Sequence, residues 1–164
     1  MAELDIDEIF HGVNGVSDAR TMFFLLAFVF ATPCTAELPL VPYRVEGGAI
    51  RAPLTTQPGD PLRGRAAVLS RDEGNCFLCH TVPDAPETPQ GNLGPPLAGV
   101  GKRLDAEQLR LRVVDSSRMN RATIMPAYYR ISGLTRVAPV YAGKPLFAAQ
   151  QIEDVIAYLL TLRD

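Results

Sequence analysis

The clearest pattern along the chain lies near its end. In "AAQQIEDVIAYLLTL" (148–162), Ile152, Val155, Ile156, Leu159 and Leu160 recur at i, i+3, i+4, i+7 and i+8. That is the stripe of an amphipathic helix packed on a core. A weaker stripe of Leu62, Ala66 and Leu69 runs through "DPLRGRAAVLSRDEG" (60–74). Asp60 can cap this helix, Pro61 suits its first turn, and Gly74 can end it. A third helix is predicted in "RLDAEQLRLRVVDS" (103–116). There Asp105 and Gln108 form a capping-box pair, with Leu104 and Leu109 placed as a hydrophobic staple. Residues 83–101 hold too much proline and glycine for regular helix. Residues 116–130 read as short and irregular, and 137–145 as a further loop. No strand pattern and no internal repeat is present. The pattern predicts a small all-α domain over 61–164 with a thin core.

Two segments precede it. Residues 37–60 carry Pro39, Pro42, Pro53 and Pro58 with Gly47, Gly48 and Gly59, and read as an extended arm without its own core. Residues 22–31 are an unbroken apolar run, "MFFLLAFVFA". Ten residues of helix rise about 15 Å, half of a bilayer core, so this is not a spanning helix. With small residues at Cys34 and Ala36, residues 1–36 read as a leader containing a secretory signal peptide. Its start is acidic, with Arg20 the single base before the run, whereas such leaders usually begin positively charged. The expectation is a periplasmic protein with no membrane span once the leader is removed.

Cleavage after Ala36 removes five acids and one base, so a net charge of −2 becomes +2. It also removes His11 and Cys34. What remains is a short inventory: His80, Cys76 and Cys79, and the methionines Met119 and Met125. No nucleic-acid partner is expected. Residues 102–136 are rich in arginine and lysine. They read either as a solvated face or as a docking surface steered by charge.

The remaining cysteines and the histidine fall together in "GNCFLCHTV" (74–82). Two thiols at i and i+3 followed directly by histidine form the attachment signature of haem c. The thiols reach two vinyl groups on one porphyrin edge, and His80 turns its imidazole to the iron. A redox dithiol of Cys76 and Cys79 would sit near a βαβ pattern, which is absent. Structural zinc needs four ligands, and only three soft ones exist here. With the single histidine used, the second axial ligand falls to a methionine, which suits electron transfer. Met125 precedes Pro126 and is therefore held in an extended loop from which it can be aimed at the iron. Met119 is the alternative, and Lys102, Lys144 or an open position are minor ones. Tyr128 and Tyr129 read as ordinary packing residues with their hydroxyls at the surface.

"GNCFLCHTV", "GNLGPPLAGVGKR", "TIMPAYYR", "VAPVYAGKPL" and "EDVIAYLLTL" occur in this order over about residues 60–164. In this the chain resembles the SoxX family, monohaem subunits of the SoxAX cytochromes of bacterial sulfur oxidation. The wider resemblance is to class I cytochromes c. It implies that the Pro95 carbonyl bonds the proximal His80, that Leu97 packs on the haem, and that Gly64 and Tyr158 mark a close helix crossing. It also implies partners: a SoxA-like haem subunit, a SoxYZ-like carrier and an electron-accepting cytochrome c. In that family thiosulfate is joined oxidatively to a carrier cysteine, an L-cysteine S-thiosulfotransferase reaction. The SoxX-like chain receives the electrons and supplies no acid, base or nucleophile. The arm, 37–60, is a candidate for wrapping the partner. The alternatives are a free periplasmic electron shuttle and a thiol-disulfide oxidoreductase.

Overall fold

The computed structural model describes residues 40–83, 85–86 and 89–164. The leader, its cleavage point and the first residues of the arm lie outside the described residues. Helix α1 is Pro61–Leu69. The Asp60 carboxylate accepts from the N–H groups of Leu62 at 2.8 Å and Arg63 at 3.2 Å, so the expected cap is in place. The helix ends earlier than Gly74, because Ser70 turns to an extended conformation. The chain folds back, and the Gly74 N–H reaches the Ala67 carbonyl at 3.1 Å.

Helix α2 is the single turn Val100–Arg103, which begins inside the stretch expected to be loop, 83–101. Gly101 permits it, since a Cβ there would stand 2.5 Å from the Leu160 carbonyl. Helix α3 is Ala106–Asp115. Its capping box closes as expected, with Gln108 N–H donating to Asp105 at 2.8 Å and Asp105 N–H to Gln108 at 3.2 Å. Helix α4 is Ala149–Thr161. It begins without a capping hydroxyl or carboxylate; instead the Ala148 N–H donates to Gln151 Oε1 at 2.9 Å.

Helices α1 and α4 cross closely. A Cβ on Gly64 would run into the Asp154 carbonyl and stand 3.0 Å from Tyr158 Cβ. The apolar stripe of α4 is buried as its periodicity predicts, at Ile152, Val155, Ile156 and Leu159. Glu153 and Asp154 are buried beside it, which the stripe does not foretell. Among the described residues there is no strand, only one isolated bridge between Glu46 and Ala49. Gly47 and Gly48 close it with φ of +58° and +78°. The domain is all-α, and no helix among the described residues is long and apolar enough to cross a membrane.

The arm departs most from expectation. The described residues from 40 to 164 cluster as one unit, and Ile50 and Leu54 are part of the core. Polar groups of α3 and α4 hold them there. Leu54 N–H donates to Glu153 Oε1 at 2.8 Å, and Arg110 Nη1 donates to the Ile50 carbonyl at 2.7 Å. Arg110 and Glu153 are themselves paired at 2.8 Å and 2.9 Å. Farther out, the Val41 N–H donates to the Tyr129 hydroxyl at 2.9 Å. The arm therefore wraps its own domain. Deleting it would strip that core, so a deletion cannot isolate any contact it makes with a partner.

Candidate functional site

The attachment sequence folds as one tight turn. Asn75 takes a left-handed conformation, φ +46°, and a 3-10 turn over Cys76–Leu78 follows. The Cys76 carbonyl accepts from Cys79 N–H at 3.1 Å and His80 N–H at 2.9 Å. That closure brings both thiols and the imidazole to one side of the turn. Both thiols are free and half-buried.

The loop after it runs alongside. Gly91 N–H bonds the Phe77 carbonyl, Gly94 N–H the Cys79 carbonyl and Leu97 N–H the Thr81 carbonyl, at 2.8 to 2.9 Å. Gly94 lies against the imidazole face, where an added Cβ would stand 2.6 Å from His80 Nδ1. His80 Nδ1 lies 2.7 Å from the Pro95 carbonyl oxygen. A carbonyl can only accept, so Nδ1 carries the proton and Nε2 keeps its lone pair for a metal.

A cavity of about 440 Å³ opens over this turn, within the size range of small-molecule and cofactor sites. Cys76, Cys79, His80 and Pro95 line it, and so do Met125 and Tyr128. Met125 therefore comes to the same space as His80. Met119 does not line it and is 47 % exposed. Lys102 and Lys144 are not among its lining residues either. Leu97 is also outside it, half-buried against the core instead. Two thiols, an imidazole with one nitrogen free, a thioether sulfur and a mostly apolar lining, with Arg71, Asp72 and Glu73 also lining it, fit a covalently held haem, and this donor set could ligate its iron on two sides.

Before attachment, burial pushes the Cys76 thiol up to about 11, partly offset by its hydrogen bond with Tyr128. Burial likewise raises the Tyr128 hydroxyl, and the adjacent Cys76 adds to the rise. The tyrosines are not surface packing residues. Both are buried, and the Tyr128 hydroxyl donates to the Gly74 carbonyl at 2.7 Å. Nor are the basic residues of 102–136 one solvated face. Arg110 is buried with Glu153, and Arg130 pairs with the buried Asp115 at 3.0 Å. Arg118, Arg121 and Arg136 are exposed. Sequence reasoning missed the contact of Gly94 with the imidazole and the Tyr128 link. Neither has a local signal, because each depends on a residue brought in by the fold.

The comparisons agree with this geometry. Residues 63–163 match the family model described as cytochrome c. A solved structure described as SoxXA from P. pantotrophus is 36 % identical, with a TM-score of 0.68. The match covers 74 % of this chain and 95 % of that one. No curated protein matches the sequence. The chain belongs to the cytochrome c family, as a SoxX-like monohaem member carrying haem c for electron transfer.

Proposed function

We propose that this chain is the electron-transfer haem subunit of a periplasmic SoxXA-type complex that oxidises thiosulfate. Cys76 and Cys79 hold the haem through thioethers, and His80 and Met125 ligate its iron. One observation carries the site: His80, fixed by Pro95, and Met125 reach the same cavity as the two thiols. The likeness to SoxXA over nearly the whole of the matched chain supports the partner assignment.

When bound, the haem exchanges one electron at a time between ferric and ferrous iron. The residues of this chain set the conditions for that exchange. The Pro95 carbonyl accepts a hydrogen bond from the Nδ1–H of His80, orients the ring and raises its basicity. Met125 offers a thioether, which raises the reduction potential. Apolar side chains such as Leu146 exclude water. No side chain here acts as acid, base or nucleophile. A SoxA-like partner would join thiosulfate to a carrier cysteine on a SoxYZ-like protein. Forming that sulfur–sulfur bond releases two electrons and the thiol proton. The electrons would pass through this haem, in two successive turns, to a soluble cytochrome c.

Purification from the native periplasm tests this. The proposal expects a second haem-bearing chain in stoichiometric amount, and reduction by thiosulfate only when the carrier is present. A lone monohaem protein that thiosulfate and carrier leave oxidised would contradict it and favour a free electron shuttle. A chain with no haemochrome spectrum would point to a thiol-disulfide enzyme.

A further inference from the structure

Met125 packs half-buried against the core, on a segment with few polar ties. Its N–H reaches Thr123 Oγ1 at 3.2 Å, and the neighbouring Ile124 is 73 % exposed. Three residues on, Tyr128 is fixed from several directions. Its N–H bonds the Val113 carbonyl at 3.2 Å, and its carbonyl accepts from Phe147 N–H at 2.9 Å. Its ring stacks on Phe147 with centroids 4.7 Å apart. Its hydroxyl then crosses to the attachment turn and donates to the Gly74 carbonyl, a buried bond between residues 54 positions apart. The same hydroxyl contacts the Cys76 sulfur.

Gly74 is itself a firm anchor. Its N–H is bonded to Ala67, and a Cβ on it would stand 2.5 Å from the Ala67 carbonyl and 3.0 Å from Phe147. The phenol thus joins the segment carrying one proposed axial ligand to the turn carrying the other. A packing tyrosine needs only its ring. This one also places its hydroxyl where the two halves of the site meet.

We propose that Tyr128 is a positioning residue for electron transfer: its hydroxyl latches the Met125 segment to the Gly74–Cys76 turn and so holds the methionine sulfur at the iron. The latch rests on the proposal that Met125 is the second ligand. Without the hydroxyl, states with Met125 withdrawn cost less and are more populated. An outside ligand that binds only such open states then gains affinity in proportion.

Imidazole binding to the ferric holoprotein reads this directly, followed by loss of the far-red methionine–iron band. Tyr128→Phe keeps the ring and removes the hydrogen bond. It should bind imidazole about five- to tenfold more tightly, the scale of one net hydrogen bond. Phe147→Leu loosens the same packing without touching the hydroxyl, and should stay near the wild-type affinity. Unchanged affinity in Tyr128→Phe would overturn the latch, and so would an equal gain in Phe147→Leu. Met125→Ala separates the layers. A variant that keeps the far-red band overturns the ligand assignment beneath the latch, whereas loss of the band leaves that assignment standing whatever Tyr128→Phe shows. If Tyr128→Phe does not fold, the wild type still decides. Saturating imidazole should speed solvent exchange of the buried Tyr128 hydroxyl proton, because the coupling is reciprocal. Unaltered exchange overturns the latch.

Discussion

Replacing Glu153 by alanine should destabilise the domain far more than a single residue usually does. Arg110 is 4 % exposed and Glu153 6 %. Glu153 accepts two bonds from the guanidinium at 2.8 and 2.9 Å and a third from Leu54 N–H at 2.8 Å. Removing one member of such a buried pair costs about 3–5 kcal/mol, because the other charge is left uncompensated. The orphaned Leu54 N–H adds about 1–3 kcal/mol, some of it overlapping. A loss of about 4–6 kcal/mol is then expected, against a typical total of about 5–15 kcal/mol. Glu153→Gln keeps an oxygen acceptor for Leu54 N–H but still leaves the Arg110 charge uncompensated, so it should cost about 3–5 kcal/mol. The double variant Arg110→Met with Glu153→Met removes both charges. A pair isolated in the core could be replaced this way with little loss. Here the Ile50 carbonyl and the Leu54 N–H both lose their partners, so the double variant should stay about 2–4 kcal/mol below wild type. Denaturant unfolding of the ferric holoprotein measures all three, and limited proteolysis between residues 40 and 58 reports release of the arm. A cost below about 1 kcal/mol for Glu153→Ala, or a double variant as stable as wild type, would refute the clamp.

Gly64→Ala places a methyl against the Asp154 carbonyl, and the shift of α1 from α4 should cost about 1–3 kcal/mol in denaturant unfolding. Burial pushes the Asp154 carboxyl up, but bonds from Arg63, the Asp60 N–H and Gln150 outweigh it and hold the group below the usual range. Its contribution is therefore present above the unfolded value of about 3.9 and is lost as pH falls through the lower folded value. Below about pH 4 the stability of wild type should fall more steeply than that of Asp154→Asn; parallel acid curves would contradict this. The effect is modest, since Arg63 is largely exposed. Gly94→Ala presses on the imidazole and weakens its bond to Pro95, so a less basic His80 favours ferric iron less and the reduction potential should rise in a redox titration.

Much of the site is legible in the sequence because its signals are local. Cys76, Cys79 and His80 are adjacent in one turn, and Pro126 constrains the residue before it. The stripe of α4 and the Asp105–Gln108 box are likewise short-range patterns. What the sequence hides is set by distant polar partners. Ile50 and Leu54 carry no periodicity, and their burial depends on Arg110 and Glu153, 60 and 99 positions away. Glu153 and Asp154 interrupt nothing in the apolar stripe, so their burial leaves no trace in it. Tyr128 reads as packing until its hydroxyl is seen at Gly74, and Leu97 packs half-buried against the core and does not line the cavity.

The most direct test is a potentiometric titration of purified wild type and Met125→Ala. Ligation by His80 and Met125 predicts a single one-electron wave in wild type, and in the variant a lower potential with the far-red band gone. A variant with the wild-type potential and an intact far-red band would show that Met125 does not ligate the iron, and the proposed site would have to be redrawn.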